Sequence, residues 1–355
     1  MTNMSVFDIL FIKKIMNMGS KILAFGKALP TKVVSNFDLE SLMDTSDEWI
    51  TQRTGIKERR VVDESKGENA TSLAAAAAES CFQQAEKLNP GLNFNRNDID
   101  LIICSTATSD NLFPSTACMV QSLLGIDSCA AFDISAACTG FIYALNIADN
   151  FIKSGQYKNV LVLSVDLMSR YVDWADRRTA VIFGDGAGAV LLTAVEESEA
   201  SFKSFYLNAK ADKDLVLCLK NTRSHYPVKA ADIDTKPEMV EMNGQAVYHF
   251  AVKALPESIE QACIKANVDP STIDWVVPHQ ANYRILESAA KRFNLPMDKF
   301  ICNIEKYGNT SSASIPIAFY EAIEEGRIVK NGKKQLIAMA GFGAGMTWGA
   351  TLIEF

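Results

Sequence analysis

The sequence predicts an α/β protein in which two halves repeat the same topology. Short apolar runs, typical of strands buried on both faces, alternate with longer stretches of helical pattern. The apolar runs lie at 100–105, 159–165, 189–194, 274–278 and 335–340, and the helical stretches lie at 72–88, 141–155, 251–266 and 315–326. This alternation predicts mainly parallel sheets with helices packed on their faces. Pro256, in the first turns of the third helical stretch, leaves the start of that helix open.

The repeat is visible as two similar segments of sequence at a fixed offset. NDIDLII at 97–103 resembles STIDWVV at 271–277, an offset of 174 residues, and the same offset carries Cys138 to Ser312. A helical stretch opens at both places, and the strand that follows begins at 159 in one copy and at 334 in the other. A repeat of this length predicts duplicated domains rather than solenoid units.

The predicted boundary lies near residue 196, in the charged stretch EESEASFK, and separates an N-terminal half (19–195) from a C-terminal half (196–355). Residues 1–18 form an N-terminal extension, which we interpret as an alternative or non-native start, with a short amphipathic segment as the other interpretation. The apolar part of this extension is too short to span a bilayer and contains two lysines. No membrane association is therefore expected.

Composition and charge argue against several classes of function. The net charge of −7 over 355 residues argues against a nucleic-acid binder held by phosphate contacts. The eight cysteines form no CxxC pair, so neither a zinc ribbon nor a thioredoxin-like redox motif is expected, and no metal site is predicted. Several cysteines lie inside apolar runs, and a reduced cytoplasmic protein is the simplest account of them.

Cys138 is the first candidate for catalysis. In DISAACTGFIYAL, a strand-like segment runs through small residues into a helical pattern, which places the cysteine at or near a helix N-terminus. The unpaired N–H groups and the dipole of the helix favour a thiolate there and lower the pKa of a cysteine. The thiolate is the nucleophilic form. A buried cysteine that fills space against a tight turn is the alternative interpretation.

His279 and Asn309 are the next candidates. His279 follows a buried strand in DWVVPHQAN, where α/β sheets place ligand-binding residues, although a structural histidine is the alternative. Of the other histidines, His249 is expected on the side of a helix and His225 in a loop. Asn309 lies in KYGNTSSASIP, a cluster also typical of turns and helix N-caps. The repeat selects it, because this loop opens the helix equivalent to the one that carries Cys138.

Two glycine-rich stretches border predicted strands. FGDGAGAVLL at 183–192 contains GxGxG but precedes a strand, so a tight turn is expected there rather than a dinucleotide site. GFGAGMTWGATLI at 341–353 follows one strand and enters another. Its backbone can approach a ligand closely, and its free N–H groups could serve an oxyanion.

Six motifs in order along the chain resemble those of one family. They are DTSDEWITQRTGIKERR (44–60), AACTG, FGDGAGA, PHQAN, GNTSSASIP and GFGAGMTWG. From Gly19 to Phe355 the chain resembles β-ketoacyl-acyl-carrier-protein (ACP) synthase III, the initiating condensing enzyme of bacterial fatty acid synthesis. The resemblance implies the thiolase-like five-layered αβαβα fold made of two duplicated halves, in agreement with the internal sequence repeat.

The resemblance implies a decarboxylating condensation through an acyl-enzyme. Cys138 would take the acyl group from acyl-CoA, which is a substrate, and no cofactor is implied. Malonyl-ACP would then lose carbon dioxide while His279 and Asn309 donate hydrogen bonds to its thioester oxygen, where negative charge develops. The carbanion would attack the acyl-Cys138 carbonyl. The resulting oxyanion would meet N–H groups of Cys138 and of a loop formed by Gly343, Ala344 and Gly345.

The resemblance also implies contacts to CoA and to a second subunit. Trp49 and Arg177 would sandwich the adenine of CoA, while Arg53 and Asn282 line its channel. Phe113, in NLFPST, would reach the acyl pocket of the partner subunit. A homodimer is therefore implied.

An ACP-binding surface is expected on one helical face. Arg284, Lys291 and Arg292 lie at i, i+7 and i+8, which places them on the same side of a helix. A solvated basic face is the alternative interpretation. His249, next to Tyr248, stands where the family often carries a lysine of this surface.

Related functions differ in the motifs they need. A non-decarboxylating thiolase needs a second cysteine in the last glycine-rich loop, which GFGAGMTWG lacks, and a hydroxymethylglutaryl-CoA synthase needs a glutamate that SAACTG does not offer. A starter-unit ketosynthase or acyltransferase of polyketide metabolism uses the same three catalytic residues and remains an alternative interpretation. A non-catalytic synthase partner is not expected, since Cys138, His279 and Asn309 are all present. Thr139, where alanine is frequent, and the segments SDNLFPST and RYVDWADRR leave the primer open.

Overall fold

The computed structural model describes residues 17–220 and 239–355, which form thirteen strands and nine helices. The strands are β1 (Met18–Ala28), β2 (Lys32–Ser35), β3 (Glu58–Val61), β4 (Leu101–Ser105), β5 (Ala130–Ile134), β6 (Asn159–Leu167), β7 (Asp185–Glu196), β8 (Phe202–Ala209), β9 (Leu217–Leu219), β10 (Val240–Met242), β11 (Trp275–Pro278), β12 (Leu336–Gly343) and β13 (Thr347–Glu354). The helices are α1 (Asn36–Glu40), α2 (Asp47–Thr54), α3 (Ala70–Leu88), α4 (Thr116–Leu123), α5 (Gly140–Lys153), α6 (Gly244–Ala266), α7 (Tyr283–Phe293), α8 (Ile304–Tyr307) and α9 (Ser314–Glu324). Most of the predicted extension at 1–18 lies outside the described residues, as does His225. No helix in the described ranges is both long enough and apolar enough to cross a bilayer.

Two mixed sheets form the frame of the molecule. The strands of the first lie in the order β1-β7-β6-β4-β5, and those of the second in the order β11-β12-β13-β8. The prediction of mainly parallel sheets is wrong, because three strand pairings in these sheets are parallel and four are antiparallel. One reason lies near the C-terminus, where residues 344–346 join β12 to β13. A connection this short allows only an antiparallel pair.

The sheets and helices stack in five layers, which confirms the predicted αβαβα fold. α5 and α9 form the middle layer, since each contacts strands of both sheets. Their apolar faces share one core with the inner faces of the sheets, in which the rings of Phe25 and Phe319 stack at 3.9 Å between centroids. α3 and α4 cover the outer face of the first sheet. α6 and α7 cover the outer face of the second.

The offset of 174 residues is preserved in the fold. β4 and β11 begin 174 residues apart, and so do α5 and α9. A 3₁₀ turn precedes each of these helices, Ala137–Thr139 in one half and Ser311–Ala313 in the other. The first residue of each turn has a positive φ, 46° at Ala137 and 52° at Ser311, a conformation that costs a non-glycine residue about 1–3 kcal/mol. Both halves therefore carry the same strained approach to a central helix.

The third predicted helix begins earlier than expected, at Gly244 instead of residue 251. Its start is set by Asn243, whose side chain accepts a hydrogen bond from the backbone N–H of Ala246 at 3.1 Å. Pro256 lies inside the helix and is buried. A proline has no N–H and therefore removes one helical hydrogen bond. The packing of its buried side chain offsets this missing hydrogen bond.

Candidate active site

A cavity of about 80 Å³ opens where the two halves meet. Cys138, His279 and Asn309 all line it, together with Phe342 and Gly343. The three candidate residues are almost completely buried, with exposed fractions of 6%, 1% and 5%. The fold thus brings the three side chains selected from the sequence to one place. Within residues 17–220 and 239–355, no cluster of three His, Cys, Asp or Glu side chains has the arrangement of a metal site.

Cys138 lies in the middle of the first 3₁₀ turn, directly before α5, as the sequence predicts. Its Sγ is 3.4 Å from Oγ of Ser311 in the equivalent turn of the other half. Burial, together with the nearby carboxylate of Asp166, raises the pKa of the Cys138 thiol to about 12. This direction is opposite to the predicted lowering of the pKa, because burial disfavours the charged thiolate.

His279 directly follows β11 and is held from three sides. Its backbone N–H donates to the carbonyl of Ala340 on β12 at 2.8 Å, and its ring packs edge-on against Phe342 with 5.3 Å between centroids. Nδ1 lies 2.7 Å from Oγ of Ser314. Burial lowers the pKa of His279 to about 3, so the imidazole is neutral at physiological pH. With Nδ1 engaged, Nε2 is the ring nitrogen left for a ligand.

Asn309 is positioned through both its backbone and its side chain. Its backbone N–H donates to the carbonyl of Ile182 at 2.9 Å, and its carbonyl accepts from the N–H of Gly184 at 3.0 Å. Its Oδ1 accepts from the backbone N–H of Ser311 at 2.8 Å. Because Oδ1 is occupied, Nδ2 remains as the hydrogen-bond donor beside the Cys138 thiol.

Ser311, Ser314 and Asp166 belong to the site but were not selected from the sequence. Asp166, on β6, accepts hydrogen bonds from the backbone N–H and from Oγ of Ser312 at 3.2 and 2.8 Å. This carboxylate connects the first sheet to the turn that begins α9, and burial raises its pKa. The serines lie in a cluster that looks like ordinary turn chemistry, so only the repeat offset, which pairs Ser314 with Gly140, could have selected them.

The hairpin between β12 and β13 packs directly on the nucleophile. A Cβ at Gly343 would lie 2.9 Å from the backbone nitrogen of Cys138, so a side chain at this position has no room. Of the predicted oxyanion loop, Gly343 lines the cavity, whereas Ala344 and Gly345 do not. Those two residues form the turn, in which the Ala344 carbonyl accepts a hydrogen bond from Oγ1 of Thr347 at 3.1 Å.

Comparison with known proteins assigns this arrangement to a family. The family model described as 3-oxoacyl-[ACP] synthase III matches residues 132–211, and its C-terminal counterpart matches residues 263–355. A β-ketoacyl-ACP synthase III from Aquifex aeolicus is 45% identical, covering 95% of this chain and 100% of its own. The chain belongs to the β-ketoacyl-ACP synthase III family. It is an acyltransferase of the condensing type.

Solved structures of the family agree with this assignment. The crystal structure of 3-oxoacyl-[ACP] synthase III from Aquifex aeolicus has a TM-score of 0.84 and 45% identity, over 95% of this chain and 100% of the other. A priming β-ketosynthase from the R1128 polyketide pathway has a TM-score of 0.85 but 28% identity, over 96% and 97% of the two chains. The fold is shared by both proteins, and the higher identity favours the synthase III family over the starter-unit alternative.

In this family member, Trp49 is flanked by two guanidinium groups. The central carbon of Arg53 lies 4.8 Å from the Trp49 ring centroid, and that of Arg177 lies 5.0 Å from it. An aromatic base between Trp49 and Arg177 needs about 7 Å between its neighbours, which is two van der Waals contacts. The Arg177 side chain, which donates to the carbonyl of Asp44 at 2.8 Å, would have to move for adenine to occupy the predicted position. Asn282 lines the cavity, and its Nδ2 donates to the Arg53 carbonyl at 2.9 Å.

The three basic residues expected to bind ACP are exposed on α7 but are not equivalent. Arg292 forms a two-point ion pair with Glu260, with Nε–Oε1 at 2.8 Å and Nη2–Oε2 at 2.7 Å. Arg284 and Lys291 have no ion pair with any residue that the structure describes. The free positive charge of this face is therefore concentrated at Arg284 and Lys291. His249 lies on α6, as predicted, and is exposed.

Phe113 does not line the cavity of its own chain. It is 85% exposed in the loop between β4 and α4, and its neighbour Leu112 is 87% exposed. In the described part of the chain, β5 pairs with β4 alone and leaves its other edge open. Exposed apolar side chains and an open strand edge are typical of surfaces that another chain covers.

Alkylation of Cys138 by iodoacetamide is expected to accelerate about tenfold per pH unit between about pH 6 and pH 9. The thiolate is the reacting form, and with a pKa of about 12 its fraction rises throughout this range without saturating. Peptide mass spectrometry of time courses measures the rate at Cys138, with the exposed Cys118 as an internal reference. A rate that levels off near neutral pH would show that the helix N-terminus outweighs burial.

Proposed function

We propose that this enzyme initiates fatty acid synthesis by condensing an acyl-CoA primer with malonyl-ACP to give β-ketoacyl-ACP, carbon dioxide and CoA. In the first half-reaction, Sγ of Cys138 attacks the thioester carbonyl of acyl-CoA. A C–S bond to Cys138 forms as the bond to the CoA sulfur breaks, and the thiol proton ends on CoA. Family membership and the position of Cys138 in the cavity support this step.

In the second half-reaction, malonyl-ACP enters the cavity and loses carbon dioxide. The electron pair of the broken C–C bond passes into the thioester as an enolate, which places negative charge on its oxygen. The resulting carbanion attacks the acyl-Cys138 carbonyl and forms the new C–C bond. The tetrahedral intermediate then expels Cys138 as a thiolate, which takes up one proton.

The observation that carries this proposal is the pair of neutral donors beside Cys138. Nε2 of His279 and Nδ2 of Asn309 are the groups left free when Ser314 and Ser311 have taken the other polar atom of each side chain. Both side chains line the cavity with Cys138. Fixed neutral donors stabilise an enolate oxygen by hydrogen bonding to it, and such donors act strongly in a buried site.

The tetrahedral oxyanion requires donors of its own. We assign the backbone N–H of Cys138 to this role, with the glycine-rich hairpin as its close neighbour. The approach of Gly343 to the Cys138 nitrogen supports this assignment, because it keeps side chains away from the oxyanion position. Ala344 and Gly345 then serve to shape the turn of the hairpin, in which Thr347 holds the Ala344 carbonyl.

CoA is proposed to enter along Trp49 and Arg53, with its adenine stacked on Trp49. The support is the guanidinium that already stacks on that ring, since a face that attracts a planar cation also attracts a planar base. Arg177 swings out and closes over the adenine. No metal or cofactor takes part in this proposal, since CoA arrives as part of a substrate.

The enzyme is proposed to act as a homodimer in the cytoplasm. Phe113 and Leu112 would be buried by the partner subunit, where Phe113 reaches the partner's acyl pocket. Their high exposure and the open edge of β5 support the dimer. All eight cysteines are free, which supports a reducing compartment.

Mass spectrometry tests the proposed function directly. The purified protein is incubated with a panel of acyl-CoAs, the acylated residue is located by peptide mapping, and malonyl-ACP is then added. Acyl-Cys138 followed by β-ketoacyl-ACP is the expected result and also identifies the primer. Acylation without condensation would assign the enzyme to acyl transfer alone, and no acylation by any donor would contradict the proposal. The native mass of the same sample distinguishes dimer from monomer.

Removing the charges of Arg284 and Lys291 together is expected to raise the KM for malonyl-ACP about fivefold at low salt. Both charges are exposed and free to meet an acidic carrier protein, whereas Glu260 already neutralises Arg292. The double alanine variant is compared with Arg292→Ala, for which the change in KM is expected to stay below about twofold. High salt should reduce the difference by screening. Equal effects of both variants, or slower acylation of Cys138 by acyl-CoA, would contradict this docking surface.

A further inference from the structure

The hydroxyl of Ser314 sits between the imidazole of His279 and the backbone that follows it. Its Oγ is 2.7 Å from Nδ1 of His279 and 3.3 Å from the backbone nitrogen of Gln280. The backbone N–H can only donate, so Oγ accepts from Gln280. Among the residues that the structure describes, Nδ1 is the acceptor within reach of the hydroxyl proton. The serine O–H therefore donates to Nδ1.

This hydrogen bond determines where the imidazole carries its proton. A neutral imidazole has one N–H and one bare nitrogen, and an Nδ1 that accepts a hydrogen bond is the bare one. The proton is then on Nε2, the nitrogen left for a ligand. In the opposite tautomer Nε2 would be an acceptor, and it would repel an enolate oxygen instead of stabilising it.

The repeat of the fold shows that this contact is built into the architecture. The offset that pairs β4 with β11 also pairs Ser105 with His279 and Gly140 with Ser314. In the first half, a Cβ at Gly140 would lie 1.9 Å from Oγ of Ser105, so the same two positions touch there as well. The second half uses this strand-to-helix contact to place a hydroxyl against an imidazole.

We propose that Ser314 is a positioning residue that holds His279 in the Nε2–H tautomer required for decarboxylation of malonyl-ACP. Ser314 does not touch the substrate and acts through His279 alone. The inference rests on the proposed function of His279 as a donor to the thioester oxygen. It also makes a separate statement about the proton on the ring, which can be measured without any substrate.

The tautomer is read by nuclear magnetic resonance of the full chain labelled with ¹⁵N-histidine. The chain has three histidines, and the signals lost in His279→Ala identify those of His279. We expect a proton on Nε2 and a bare Nδ1 in the unmodified protein. Ser314→Ala should move part of the population to the Nδ1–H form, and Ser314→Thr, which keeps the hydroxyl, should restore the original tautomer.

The same variants separate the two half-reactions. Ser314→Ala is expected to slow malonyl-ACP decarboxylation about tenfold, the factor of one hydrogen bond, and to leave acylation of Cys138 by acyl-CoA unchanged. Ser258→Ala, which removes an equally buried hydroxyl bonded to the Leu255 carbonyl in α6, is the matched control and should change neither rate.

Two results would overturn the inference: a proton on Nδ1 of His279 in the unmodified protein, or a Ser314→Ala variant that decarboxylates as fast as the Ser258→Ala control. Failure of the proposed function looks different. In that case His279→Ala itself decarboxylates malonyl-ACP at the original rate, while the tautomer signals still respond to Ser314.

Discussion

Replacing Cys138 with alanine is expected to abolish condensation, with a loss of at least about 10⁴-fold in kcat/KM. Cys138 is the only thiol among the described residues that line the cavity, so without it the carbanion formed from malonyl-ACP meets no acyl thioester on the enzyme. The fold should survive, because the substitution removes one buried sulfur and costs about 1 kcal/mol of unfolding free energy. Product formation is measured by mass spectrometry and stability by thermal unfolding.

Cys263→Ala is the matched control for this prediction. Cys263 is also buried, in the core against the second sheet, and lies on α6 away from the cavity. It should lose a similar amount of stability and keep its activity. β-Ketoacyl-ACP formed by the Cys138→Ala variant at more than a trace would mean that another group carries the acyl chain.

His279→Ala and Asn309→Ala are each expected to lower condensation about 10²–10³-fold while acyl-Cys138 still forms. Each removes one neutral donor from the enolate oxygen, and neither removes the nucleophile.

Because burial holds the pKa of His279 near 3, the imidazole does not titrate near neutrality. Decarboxylation by the unmodified enzyme should therefore be flat between about pH 5 and pH 8, since the imidazole is already deprotonated above its pKa.

Two separate assays distinguish these roles. Intact-mass spectrometry follows acylation of Cys138 by acyl-CoA, and release of labelled carbon dioxide follows decarboxylation of malonyl-ACP. The double variant should lose less than the product of the two single losses, because both donors act on one oxygen. If either single variant condensed at the original rate, or failed to form acyl-Cys138, the role assigned to that residue would be wrong.

The candidate residues with a local signal could be selected from the sequence. Cys138 and His279 each stand where a strand ends, and the structure places both in one cavity with Asn309. Ser314 and Asp166 carry no such signal, because a serine at a helix start and an acid in a strand have many ordinary explanations. Their importance comes from what they touch: Ser314 contacts His279 within the C-terminal half, and Asp166 contacts Ser312 across the interface of the halves.

The fold divides in a similar way. Apolar runs located β4, β6, β11 and β12, since burial on both faces requires continuous apolar sequence. The direction of pairing was predicted incorrectly, because it depends on how the connections run through space rather than on the strands. The start of α6 was also predicted too late. Asn243 and Gly244 are residue types typical of a turn, but in the structure they form the N-cap and the first residue of this helix.

The sequence by itself determined the order of elements, the duplication, the family and the positions of the three candidate catalytic residues. These properties follow from residue types at fixed spacing along the chain, which can be read without knowing the fold. Only the tertiary structure decided the protonation of the site. A helix N-terminus favours a thiolate. Burial, however, raises the pKa of Cys138 and lowers that of His279, so both groups are in their neutral forms. Desolvation depends on how many atoms surround a group, and that number exists only once both halves have packed together.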